Sequence, residues 1–218
     1  MKASRTVNKT KIILPLIFLQ ILIYSCRSYS PSKNEYFQNI LRFQDNLNKE
    51  FADKKISPLD SVDLLNFKKL DFFPIDKKYR VVARFKKNPN PTPFEFPTNT
   101  SRTPVYVKYG DAYFTIDGKN LHLEIYQNQE ALKDTVYKDY LFLPFGDKTN
   151  GNESYYSGRY IDLKIPADST KIIIDFNKAY NPYCAYSHRW SCPLIPPANI
   201  LDIEIRAGVK KFNHKKRE

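Results

Sequence analysis

From Tyr79 to Arg206 the chain runs in short stretches rich in β-branched and aromatic residues, punctuated by Pro, Gly, Asp and Asn. Such runs read as strands. Parallel strands would need crossover helices between them, and nothing here reads as a βαβ repeat or as any internal repeat. Many strands without crossovers imply a mainly β domain, an antiparallel β-sandwich or a partly open barrel. The runs fall at 80–85, 105–109, 112–116, 121–126, 140–145, 159–163, 171–176 and 200–206. Pro89, Pro91, Pro93 and Pro97 make the stretch after the first run loop or edge strand. Gly110-Asp111 and Asp117-Gly118 link three consecutive strands, and Asp-Gly is a strong tight-hairpin signal. Fifteen prolines argue against a helical bundle.

Two helices precede the strands. Tyr36, Ile40, Phe43, Leu47 and Phe51 recur at spacings of 4, 3, 4 and 4, one face of a helix. A shorter helix is expected from Pro58, with Ser57 as its cap, Asp60 near its positive end, and Leu64, Leu65, Phe67 and Leu70 as anchors. Packing on the domain's own sheet is the expected fate of both.

Ahead of them, Lys2, Arg5, Lys9 and Lys11 form a positive leader without an acid. Residues 12–23 are apolar apart from Pro15 and Gln20, and Tyr24-Ser25-Cys26 follows. This is the layout of a secretory signal. The apolar run falls short of the roughly 17–25 residues of a membrane-spanning helix. Ile23-Tyr24-Ser25-Cys26 resembles a lipobox, although Tyr24 departs from the usual small or aliphatic residue. The expectation is a signal peptide over 1–25, lipid on Cys26, a spacer over 26–32, a single domain over 33–208 and a basic, disordered tail over 209–218. The partner is then a membrane, in the bacterial cell envelope. Arg27 stands where an aspartate marks inner-membrane retention in some bacteria, which favours the outer membrane.

The formal charge is +12, and losing the leader removes four basic residues and no acid, leaving +8. The remaining basic residues are dispersed except at Lys210, Lys211, Lys215, Lys216 and Arg217. With export, that dispersal argues against nucleic acid. The tail reads as solvated, or as touching anionic headgroups near the anchor.

Polar residues are densest in two loops. One runs Pro144-Phe145-Gly146-Asp147-Lys148-Thr149-Asn150-Gly151-Asn152-Glu153-Ser154-Tyr155 and on through Gly158-Arg159-Tyr160-Ile161-Asp162. The other runs Asp175-Phe176-Asn177-Lys178-Ala179-Tyr180-Asn181-Pro182-Tyr183-Cys184 and ends at Cys192-Pro193-Leu194-Ile195-Pro196. With Asn199 and Ile205-Arg206-Ala207-Gly208, these segments resemble the "domain of unknown function 1684" family of bacterial proteins, over a stretch from Tyr36 to Gly208. The resemblance implies a domain assignment, and no activity, cofactor or catalytic residue.

Asp147, Thr149, Glu153, Tyr155, Arg159, Asp162, Asp175, Asn177, Tyr180 and Asn181 are the candidate binding residues. Asp147, Glu153, Asp162 and Asp175 could do acid–base work if paired about 5–10 Å apart with split pKa values. The plainer reading is turn capping and salt bridging to Arg159. Asp175 and Asn177 could offer oxygens to Ca²⁺, but a full calcium loop is absent, so no metal and no cofactor is expected. Tyr155, Tyr156, Tyr160, Tyr180, Tyr183, Tyr186 and Trp190 crowd the same region and could stack on a glycan or a small molecule.

Cys184, His188 and Cys192 admit three readings. As a disulfide, Cys184–Cys192 would contribute about 2–3 kcal/mol. As a metal site, the set lacks a fourth ligand. As a nucleophile, Cys184 would need His188 as base and an orienting group. Export favours the disulfide. Functionally, a tethered binding module stands first, ahead of a hydrolase using the loop carboxylates and an envelope scaffold whose motif is purely structural.

Overall fold

The computed structural model describes residues 33–214; the leader, Cys26, the spacer and residues 215–218 lie outside them. The elements are helices α1 (Lys33–Ala52) and α2 (Ser61–Asn66), then strands β1 (Arg80–Lys87), β2 (Pro93–Glu95), β3 (Val105–Ile116), β4 (Lys119–Asn128), β5 (Tyr140–Phe145), β6 (Arg159–Lys164) and β7 (Lys171–Asp175). No helix among the described residues is long and apolar enough to cross a membrane.

The strands form one antiparallel sheet in the order β6-β5-β4-β3-β1-β7, with β2 beside β3. It curls into a half-barrel, so the partly open barrel rather than the two-sheet sandwich is the realised form. Strand parity decides what fills it. Ala83 and Phe85 of β1, Leu123 and Ile125 of β4, Leu141 and Leu143 of β5, Ile161 of β6 and Ile174 of β7 share one buried core. The segment after β7 closes that core with Phe176, Ala179, Ile205 and Ala207. Tyr106, Tyr126, Phe142 and Tyr160 point the opposite way and form a second, aromatic cluster with Phe96. His122 has the parity opposite to Leu123; it is half-buried and bonds Asp111 at 2.7 Å.

The hairpin at Asp117-Gly118 forms as expected. Both residues have positive φ, 49° and 77°, as a tight turn between twisted strands requires. Gly110-Asp111 is not a turn. β3 runs through it unbroken, with a register shift between Lys108 and Gly110. A Cβ on Gly110 would lie 2.7 Å from both the Phe85 ring and the Lys86 carbonyl, so this glycine answers to the neighbouring strand. The strand expected at 200–206 is absent: the run makes an isolated parallel bridge between Ile200 and Gly146, and farther on the N–H and carbonyl of Ile205 go to the side chains of Asp147 and Arg159. Asn199 acts as a peptide mimic between β4 and β5. It accepts from Glu124 N–H and donates to the carbonyls of Glu124 and Pro144.

α1 buries Tyr36, Ile40 and Phe51, whereas Phe43 and Leu47 between them stay half-exposed. α2 starts at Ser61, with Asp60 rather than Ser57 at its N-cap position. The Ser57 hydroxyl instead donates to the Phe51 carbonyl at 2.7 Å and accepts from Leu59 N–H, tying off α1. Of the tail expected to be disordered, residues 209–214 are packed instead; residues 215–218 lie outside the described ones. Val209 is buried and bridges Phe72, Phe212 packs on Tyr186 at 5.1 Å, and His214 bonds Asp63. Charge hid two apolar anchors in that stretch.

Candidate functional site

The candidate residues divide among six places. Asp147 and Arg159 form an ion pair at 2.7 Å with no side-chain exposure. Arg159 also donates to the carbonyls of Ala207 and Ile205, and Asp147 accepts from the N–H groups of Thr149 and Ile205. Thr149 joins this buried group through the Ser154 hydroxyl at 2.7 Å. Glu153 pairs with Arg206 at the surface. Asp175 and Asn177 fasten the N-terminal segments. Tyr36 of α1 donates its hydroxyl to Asp175 at 3.0 Å, and Asn177 exchanges hydrogen bonds with the backbone N–H and carbonyl of Asp76. Burial and the Asp175 charge push the Tyr36 phenol upward. Asn181 donates to the Lys210 carbonyl at 2.9 Å. Tyr155 packs on Tyr156 and reaches the Cys184 sulfur at 3.8 Å.

Only Asp162 and Tyr180 of the candidate set meet in a cleft, whose volume is about 390 Å³. This falls in the range of about 300–1,000 Å³ found for ligand pockets. Its floor is the sheet face opposite the main core. The register sets Phe142 of β5 against Asp162 of β6, and Pro144 against Tyr160. Tyr106, Phe142 and Tyr160 are therefore presented together, with Phe142 and Tyr160 edge to face at 4.7 Å. One wall is α1, through Phe43, Leu47 and Glu50. The other is the 180–193 segment, through Tyr183, Trp190 and Cys192. Phe43 and Leu47 thus remain half-exposed because the helix stripe borders a cavity there.

The polar groups of the cleft are phenols and carboxylates. Tyr140 and Tyr180 both donate to Asp162 Oδ1, at 2.9 and 2.5 Å. Asp162 is reached by solvent through the mouth but crowded by protein on its other sides. That crowding raises its pKa above the ordinary 3.8, aided by the Glu50 charge, while the two phenols oppose the rise. Burial foremost, and then the Asp162 charge, raise the Tyr180 and Tyr140 phenols in turn. Tyr183 donates to Glu50, and Tyr160 to the Pro193 carbonyl. Arg102, at the rim, bonds the Ser191 hydroxyl and carbonyl.

The cysteines expected as a disulfide stand as two free thiols in contact. The Cys184 N–H donates to the Cys192 sulfur at 3.2 Å. A thiol–thiol hydrogen bond from Cys192 lowers Cys184 to about 7 against the opposing effect of burial, and the same bond, then burial, pushes Cys192 upward. His188 is exposed beside Cys184, in a separate depression that also holds Asp63 and His214. Among the described residues no group of three or more His, Cys, Asp or Glu is placed to hold a metal ion.

Glu50, Arg102, Tyr106, Tyr140 and Phe142 were missed by the sequence reading. The readable signal was parity: Tyr140 and Phe142 lie on the strand face opposite Leu141 and Leu143. Glu50 follows Leu47 by three positions on the stripe of α1.

A curled antiparallel half-barrel, backed by one long helix and carrying an aromatic, acidic cleft, is the class these features define. The chain belongs to the family described as "Protein of unknown function (DUF1684)", whose model matches residues 65–210. It is similar to an uncharacterised protein of Haloarcula marismortui solved by solution NMR. The two share 31% identity, the match covers 81% of this chain and 95% of that one, and the TM-score is 0.64. Among curated proteins, none matches.

Proposed function

We propose that this protein is a binding module tethered to a bacterial membrane through lipid on Cys26, with the Asp162 cleft as its site. The observation that carries the binding reading is the cleft itself: two carboxylates, Glu50 and Asp162, each held by phenols, amid aromatic rings from three strands and a helix. Apolar walls with a few oriented polar groups are the usual make-up of a small-molecule site. The hydrolase alternative, as read from the four loop carboxylates, has less support, since Asp147, Glu153 and Asp175 each serve another cluster and of the four only Asp162 lies in the cleft. The scaffold reading draws on the Asp147–Arg159 pair, whose hydrogen bonds go to the domain's own backbone.

Fragment titration followed by amide NMR tests the site. Shifts concentrated at Tyr140, Tyr160, Asp162 and Trp190 are expected. A library of neutral, anionic and cationic fragments that leaves all four unmoved removes the binding reading in favour of the scaffold. The tether is tested separately: Cys26→Ala is expected to release the protein from membranes or stall its processing, and full-yield membrane fractionation of that variant overturns it.

A further inference from the structure

We infer that the cleft takes an organic cation, its ammonium group held between the carboxylates of Glu50 and Asp162 and the rings around them; this rests on the binding reading above. Both carboxylates line the cleft, and their hydrogen-bond donors are the hydroxyls of Tyr183, Tyr140 and Tyr180. A phenol donates a proton but cancels no charge. Neither carboxylate takes part in an ion pair among the described residues. The cationic side chain in the lining is Arg102, exposed and turned to Ser191. Arg189 stacks on Trp190 at 4.9 Å from outside the lining, and its guanidinium is bonded to the Ser57 and Leu59 carbonyls.

This acidity runs against the chain's overall charge of +12. A basic protein that confines two uncompensated carboxylates to one hollow selects for positive ligands there and against negative ones. The walls add a second preference. Tyr183 and Trp190 pack at 5.2 Å, Phe142 and Tyr160 at 4.7 Å, and Tyr160 and Tyr180 at 6.0 Å. Ring quadrupoles attract a desolvated cation within about 6 Å, and a quaternary ammonium loses less hydration than a metal ion on entering such a cage. The raised pKa of Asp162 is in keeping with a carboxylate that lacks a counter-charge. A neutral sugar could accept from the same phenols but would leave both charges uncompensated.

Trp190 is the one tryptophan of the chain and lines the cleft, so its fluorescence reports occupancy. The full chain in a non-ionic detergent is titrated with choline chloride, tetramethylammonium chloride and n-butylammonium chloride at ionic strength fixed with NaCl. 3,3-Dimethyl-1-butanol, the uncharged isostere of choline, is the control. A saturable change with at least one ammonium is expected, with the isostere weaker by about tenfold or more. Asp162→Asn and Glu50→Gln keep size and an acceptor oxygen, and each is expected to weaken the ammonium by about tenfold. The cation inference is overturned by an isostere that binds as tightly as choline, by two charge-neutral variants that bind like the wild type, or by three silent ammonium salts. Fragment shifts at the cleft in any of those cases would leave the binding reading standing; their absence removes both.

Discussion

Arg159 and Asp147 meet at 2.7 Å with neither side chain exposed, and between them they gather the backbone of Thr149, Ile205 and Ala207. The pair therefore staples the start of β6 to the segment that closes the core. Burying two charges is costly, and losing one partner strands the other, at about 3–5 kcal/mol. Arg159→Met and Asp147→Asn are expected to lower the urea unfolding free energy by that amount. The double variant is expected to lose less than the sum of the two, because neither charge is then left alone. Additive losses would contradict the pairing.

Residues 209–214 contribute to the fold despite their basic composition. Val209 is 1% exposed, and its N–H bonds the Ala179 carbonyl. Gly208 before it has a φ of 78°, and a Cβ there would lie 2.5 Å from that same carbonyl, so the turn into this segment is built for glycine. A chain ending at Gly208 is expected to lose at least the roughly 1.5–3 kcal/mol of one buried aliphatic side chain. Thermal unfolding checks it; an unchanged midpoint would restore the view of a frayed tail.

Much of the fold could be read from local pattern, and the exceptions share a cause. The alternation along β4 carries Leu123 and Ile125 inward, and Asp117-Gly118 marks its turn. Gly110 misled because its role depends on Phe85 in another strand. The 200–206 run misled because Asp147 and Arg159, some fifty positions away, claim the backbone of Ile205. The site was half legible for the same reason. Asp162 and Tyr180 sit in polar motif segments that drew attention to themselves. Glu50, Tyr140 and Phe142 become site residues only when α1 is laid beside β5 and β6. The loop motif that looked like a site, from Asp147 to Arg159, is largely consumed in holding the backbone.

The two thiols make a chemical prediction. Cys184 is lowered to about 7 while Cys192 is pushed up, so protein held reduced should alkylate first at Cys184. The iodoacetamide rate should reach half its plateau near pH 7, against about 8.5 for an ordinary thiol. Because the sulfurs are in contact, we also propose that oxidation joins them. Protein from an oxidising compartment should then show no reactive thiol at 184 or 192 under denaturant, and reduction should lower stability by about 2–3 kcal/mol. First labelling at Cys192, or an ordinary pH midpoint, would contradict the assigned roles.

Asp162 links pH to both stability and binding. Its pKa is raised by burial and by the Glu50 charge from α1, against the donated hydroxyls of Tyr140 from β5 and Tyr180 from the segment after β7. A raised value means that the folded chain holds this proton more tightly than the unfolded chain does. The stabilising contribution is thus fully present below the ordinary 3.8 and is lost as pH rises through the folded value. Relative to Asp162→Asn, the wild type should lose stability across that window, by a modest amount because the side chain reaches solvent. Choline prefers the ionised carboxylate, so its affinity should fall as acidification crosses the same window, and its binding should draw the Asp162 midpoint downward. Carboxyl-carbon NMR of Asp162 with and without choline measures both effects. A midpoint at or below 3.8 would deny the crowding that the cleft imposes on this carboxylate, and a raised midpoint that choline leaves in place would separate the cation from it.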